Sequence, residues 1–146
     1  MQSIRAATAT DLPMVFRQER AYIQDFEPAA SAGWHRAIDR HLEQWTDHLS
    51  RMFVIEEEGD ALGFYFWQPD AGDAVLASVH VLAAHRRKGI GARLLAHFEH
   101  DASGKGYSRL TLGVLPVNPA LAMYERAGYV FSHDEGGYRY FQKAVG

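Results

Sequence analysis

The chain has 146 residues, a net charge of −3 and no cysteine. That length suits one self-contained core, so residues 1–146 read as a single domain. The missing cysteine excludes disulfides, thiolate catalysis and cysteine-based zinc sites, and without a basic excess nucleic acid is not an expected partner.

The N-terminal MQSIRAATATD lacks a signal peptide's apolar core. No later apolar run approaches the roughly 18 residues of a membrane span, so a cytoplasmic chain with no membrane contact is expected. Ser3 to Ala6 can form a short strand. Thr10 and Asp11 are N-cap residues by type and Pro13 suits a first helical turn. Leu12, Val15, Phe16, Glu19, Tyr22 and Ile23 then follow helical spacing. Phe26 to Gly33 reads as a loop. Trp34, Ile38, Leu42, Trp45 and Leu49 form one apolar stripe of a second helix.

Met52 to Glu57 and Leu62 to Gln68 read as an antiparallel hairpin around Glu58-Gly59-Asp60. Pro69 to Asp73 is a second turn, and Val75 to Leu82 an apolar strand. A helix follows from about Gly89 to Ser103, with Ile90, Leu94, Leu95 and Phe98 on its buried stripe. Leu110 to Val114 is a strand, Pro119 to Ala127 a short helix with Asn118 as N-cap, and Tyr129 to Ser132 a strand. After the turn Asp134 to Gly137, Tyr138 to Lys143 closes the chain as a strand. A strand–helix–strand crossover through Gly89 to Gly106 pairs its strands in parallel, and the hairpins must be antiparallel. The expected class is α+β: a mixed, mostly antiparallel twisted sheet of about seven strands, flanked by four helices.

The stretch Ala74 to Leu95 carries the chemistry. Its strand leads through His85-Arg86-Arg87-Lys88 into Gly89-Ile90-Gly91 and a helix. A helix N-terminus presents unpaired N–H groups and about half a positive charge. Cations there oppose the dipole, and a bound anion removes the conflict. The same letters also fit a solvated basic loop. No G-x-x-x-x-G-K-[ST] occurs, and Leu94 stands where a dinucleotide fingerprint needs a small residue.

Arg86-Arg87-Lys88-Gly89-Ile90-Gly91 resembles the Q/R-x-x-G-x-G/A signature of the GNAT superfamily of acetyl-CoA-dependent N-acetyltransferases. Asn118 to Tyr129 (NPALAMYERAGY) is similar to that family's closing segment, although Asn118 and Tyr124 are six apart where the family has seven. The element order matches over nearly the whole chain. The resemblance implies that acetyl-CoA is the co-substrate, with no metal. Its pyrophosphate would lie on the backbone N–H groups of Arg87, Lys88, Gly89, Ile90, Gly91 and Ala92, with Arg86 shaping the loop. Its pantetheine arm would run beside Val79, His80 and Val81, and Asn118 and Tyr124 would also meet it. Gly113 would help the strands diverge there.

The implied reaction is direct acetyl transfer to a primary amine of a small molecule or peptide, in a ternary complex of a monomer or homodimer. Tyr124 matches the family's proton donor to the departing sulfur. His80, whose imidazole suits proton transfer near neutral pH, is the first candidate base, with Ser78 on the same strand face. Glu56 and Glu57 are further candidates. Tyr22, Phe26, Glu27, Trp34, Tyr138 and Tyr140 are the residues expected around the acceptor. His97, His100 and Asp101 share a helix face expected to be solvated, and no metal is assigned to them. The alternative is a non-catalytic acyl-CoA-binding sensor on the same fold; a site for ATP or NAD is a third reading.

Overall fold

The computed structural model describes residues 1–145. Its elements are β1 (Gln2–Ala6), α1 (Leu12–Phe26), α2 (Ser31–Arg36), α3 (Ile38–Asp47), β2 (Met52–Glu57), β3 (Asp60–Asp70), β4 (Asp73–Val81), α4 (Ile90–Gly104), β5 (Arg109–Val114), α5 (Leu121–Arg126), β6 (Val130–Glu135) and β7 (Tyr138–Ala144). Seven strands form one sheet in the order β1-β2-β3-β4-β5-β7-β6. All neighbours are antiparallel except β4 and β5. The α+β class, the mixed sheet and the parallel crossover through α4 are as the sequence implies.

Three hairpins close on two-residue turns, Glu58-Gly59, Ala71-Gly72 and Gly136-Gly137, with both φ angles positive in each. Such turns match the right-handed strand twist, which fixes the hairpin registers. Leu62 to Trp67 of β3 are buried without a break, because helices cover both faces of this central strand. On one face α1 and α3 pack Val15 and Trp45 against Met52, Val54, Phe64 and Phe66. On the other, Leu94 and Phe98 of α4 meet Ile55, Tyr65, Trp67 and Leu112.

Two expectations need correction. The stripe from Trp34 to Leu49 is divided between α2, α3 and the turn after them, so the described residues form five α-helices rather than four. The Ala37 N–H is shared between the Gly33 and Trp34 carbonyls, at 3.1 and 3.2 Å, which tightens the turn and ends α2. Helix α2 also starts at Ser31, inside the expected loop, and Leu42 is 41% exposed. The face of His97 and Asp101 is not a solvated one. His97 Nδ1 lies 2.6 Å from the Tyr65 hydroxyl, and Asp101 accepts the Trp67 indole N–H at 2.8 Å. These two side chains satisfy polar tips of core aromatics. Among the described residues no group of three or more His, Asp or Glu is placed to hold a metal ion.

A bulge in β4 sets the site. Phe66 pairs with Ser78 but Trp67 pairs with Leu76, leaving Ala77 as an extra residue. One extra residue reverses the alternation of the strand. Leu76, Val79 and Val81 therefore all pack toward α4, while Ser78 and His80 turn toward α1. Gly63 lies opposite, where a Cβ would stand 2.5 Å from the His80 carbonyl oxygen. Gly63→Ala is expected to lose about 1–3 kcal/mol by overpacking two central strands, read as a lower denaturation midpoint.

Candidate active site

Strands β4 and β5 pair at only two positions, Ala74 with Leu110 and Val75 with Thr111. Beyond them the strands part, and two adjoining cavities fill the opening. The larger, about 470 Å³, lies between the Val79–Val81 edge of β4, the start of α4 and the start of α5. The smaller, about 230 Å³, lies between α1, β4, β5 and Tyr124. Tyr22, Val79, His80 and Asn118 line both.

The larger cleft gathers most of the residues named from the glycine-rich motif. Val79, His80, Val81, Arg86, Arg87, Gly89, Ile90, Gly91, Ala92 and Asn118 line it. Lys88 does not; it is exposed on the loop's outer side. Arg87 and Gly89 have positive φ, 64° and 78°, on either side of Lys88, the one residue between Arg86 and Ala92 that does not line the cleft. Gly89 is the N-cap of α4 and takes this φ without strain. Arg86 Nε donates to the Val81 carbonyl at 3.1 Å, tying the loop to the end of β4. Gly91 lets α5 approach, since a Cβ there would meet the Met123 sulfur at 2.9 Å. Arg126, at the end of α5, adds a third arginine to the lining. The cleft thus joins a helix start, open backbone and three guanidinium groups, the donor set an anionic pyrophosphate needs.

The smaller cavity has the opposite character. Glu19 of α1 is fixed there by the Ser78 hydroxyl, which donates at 2.6 Å, and by His80 Nε2 at 3.4 Å. Its side chain is 14% exposed. Burial works against the Glu19 charge, but the His80 charge, a bond to His80 and the Ser78 hydroxyl outweigh it, and the carboxyl titrates below its usual range. The His80 ring stacks on Phe64 at 5.2 Å and meets the edge of Tyr22 at 5.7 Å. Tyr124 is 5% exposed and packs edge-on against Tyr129 at 6.1 Å. Burial, with the nearby Tyr22 oxygen, pushes the Tyr124 phenol well above its usual pKa, so it stays protonated. Asn118 Oδ1 accepts the Ala120 N–H at 2.9 Å and so supports the turn into α5.

A family model described as the acetyltransferase (GNAT) family matches residues 19–129, more than half of the chain. The chain belongs to the GNAT acetyltransferase family. The mycothiol acetyltransferase of Clavibacter sepedonicus is 32% identical over 92 residues, covering 62% of this chain and 30% of that protein. The streptothricin acetyltransferase of Streptomyces lavendulae is 37% identical over 89 residues, covering 58% of this chain and 47% of that protein. The matched stretch is therefore less than half the length of either relative. Among solved structures, the PaiA N-acetyltransferase of Thermoplasma acidophilum, in complex with coenzyme A, superposes with a TM-score of 0.84 at 18% identity, covering 99% of both chains. That likeness establishes the GNAT fold.

The two cavities draw in residues that the sequence did not single out. Glu19 stands in the apolar stripe of α1, and a charge at a core position is the signal it offered. Met123 and Arg126 gave none, because an arginine in a last helical turn is ordinary dipole complementation. Of the acceptor residues expected, Tyr22, Glu27 and Tyr138 line the smaller cavity and Phe26 lines the larger. Trp34 instead packs on Phe16 and His41 at 5.6 and 5.0 Å. Tyr140 stacks on His133 at 4.8 Å and covers Gly113, where a Cβ would meet its ring at 2.8 Å. Glu56 bonds Arg5 at 3.0 Å on the β1 side of the sheet, and neither it nor Glu57 lines a cavity described above.

Proposed function

We propose that this chain, acting in the cytoplasm as a monomer or homodimer, transfers the acetyl group of acetyl-CoA directly to a primary amine in a ternary complex. The observation that carries this reading is the opening between β4 and β5, basic on the α4 side and lined by carboxylates, His80 and Tyr124 on the other. The first-turn N–H groups of α4 and the backbone from Arg87 would hold the pyrophosphate, with Arg86 and Arg126 at its edge. The free Val79–Val81 edge would receive the peptide-like arm as an added strand. Acetyl-CoA, when bound, supplies the thioester that is attacked.

The remaining tasks belong to the chain. An alkyl ammonium has a pKa near 10 and cannot attack until it loses a proton. His80 takes that proton, and Glu19 beside it stabilises the imidazolium that results. Backbone N–H groups of Val79–Val81 face the developing oxyanion. As the C–N bond forms and the C–S bond breaks, the Tyr124 hydroxyl gives its proton to sulfur and regains one from the nitrogen through water. No covalent enzyme intermediate is required.

Initial-rate kinetics against an amine panel tests the reading: intersecting lines are expected, with no acetyl group left on the protein. Tight coenzyme binding without transfer to any amine would favour the sensor. His80→Ala is expected to lower kcat about ten- to hundred-fold at pH 7. The loss should shrink as pH approaches the amine's own pKa, because the free base then needs no proton acceptor. A pH-independent loss would remove His80 as the base.

A further inference from the structure

We infer that the acceptor is a short aliphatic primary amine that carries a second positive charge and no carboxylate, held between Glu19 and Glu27. This rests on the transfer reading above and names the substrate class of the same site. The smaller cavity, about 230 Å³, has no lysine or arginine in its lining, whereas the cleft beside it holds three arginines. Charge is therefore segregated along one continuous opening: cations face the coenzyme side, carboxylates the acceptor side.

The two carboxylates lie on the cavity side of α1, Glu19 within the helix and Glu27 at its C-cap. Glu19, Tyr22, Ile23 and Glu27 follow spacings of three, one and four, so all point into the cavity. Eight residues separate the acids, roughly 12 Å along the helix axis. Each is oriented by a hydroxyl or an imidazole and not by a lysine or arginine. Glu19 is held by Ser78 and His80, and Glu27 Oε1 accepts the Tyr138 hydroxyl at 2.9 Å. Between them the Tyr22 hydroxyl is pushed up by burial, with the Glu27 and Glu19 charges adding to the shift against the pull of Asn118.

An acceptor with one amine leaves the second carboxylate facing the ligand's hydrocarbon with the neutral Tyr138 hydroxyl as its partner and no cation, which is costly. An acceptor with a carboxylate adds a third negative charge with no guanidinium or ammonium to meet it. A second ammonium at the Glu27 end answers both costs, while the reacting nitrogen lies at Glu19 and His80. The cavity volume limits the connecting chain to a few methylenes.

Three ligands of matched skeleton decide the question: 1,4-diaminobutane, n-butylamine and ornithine, the last being the diamine plus a carboxylate. Each is titrated calorimetrically into the coenzyme A-saturated protein, and kcat/KM with acetyl-CoA is measured in parallel. Diaminobutane is expected to bind at least ten-fold tighter than either of the others, with the same order in kcat/KM. Glu27→Gln keeps an acceptor oxygen for Tyr138, and its folding is checked by circular dichroism. It should bring diaminobutane and butylamine to within about two-fold. Ornithine binding as well as diaminobutane would overturn the inference, as would an unchanged ratio in folded Glu27→Gln. Transfer to all three without preference keeps the transferase and overturns the class. Selective diaminobutane binding with no acetyl transfer keeps the class and overturns the transferase. The wild-type comparison decides the matter even if the variant does not fold.

Discussion

Tyr124→Phe is expected to lower kcat about 10²–10³-fold while acetyl-CoA affinity stays within about two-fold. The phenyl ring keeps the packing against Tyr129, so the core around a side chain that is only 5% exposed is preserved. What is lost is one proton. Burial raises the phenol's pKa, so at neutral pH the group is always loaded as a donor and never acts as a base. A thiolate leaves from a thiol with a pKa near 8.5, and protonation as the C–S bond breaks is worth a general-acid factor of this size. A structural tyrosine would behave otherwise. Its hydroxyl's removal would change the melting temperature and spare the rate. Stopped-flow single turnovers at saturating acetyl-CoA separate the two cases, and an unchanged rate would reduce Tyr124 to a core residue.

The hairpins, the strand at β3 and the α4 crossover were legible because each depends on local chemistry. Two-residue turns with glycine fix hairpins, and a helix with one apolar stripe has one way to lie on a sheet. The grouping of the glycine-rich motif around one cleft was legible for the same reason: strand, cations, glycine and helix start are contiguous in the chain. The smaller cavity was not. Glu19 and His80 are brought within 3.4 Å only by the packing of α1 over β4 and by the bulge at Ala77. The bulge has no sequence mark, since alanine is at home on either face of a strand. The parting of β4 and β5 after two pairs is equally silent, because it is a property of neither strand alone. The break at Ala37 lacks glycine or proline, so periodicity ran straight through it. Lys88 is a contrasting case: next to Arg87 in the chain, it is exposed and does not line the cleft.

Gly91→Glu should weaken acetyl-CoA binding about 10³-fold, equivalent to roughly 4 kcal/mol, in a protein that folds as well as wild type. Gly91 is the second residue of α4, whose N-cap is Gly89. Glutamate is a better helix former than glycine by several tenths of a kcal/mol, and its charge complements the dipole at that end. The melting temperature is therefore expected to hold or rise slightly. The new Cβ meets the Met123 sulfur, whose flexible thioether can rotate aside, and next the Val81 methyl at an ordinary 3.7 Å. The carboxylate then lies in the cleft beside Arg86 and Arg87, where it takes up the α4 N–H groups as a tethered anion. A phosphate arriving there finds its donors occupied and a like charge in place. Gly91→Ala separates the two effects, because it displaces Met123 without adding charge and should cost about ten-fold or less. Calorimetry on both variants reads the result. A folded Gly91→Glu protein that binds acetyl-CoA within ten-fold of wild type would mean that the phosphates do not rest on the start of α4.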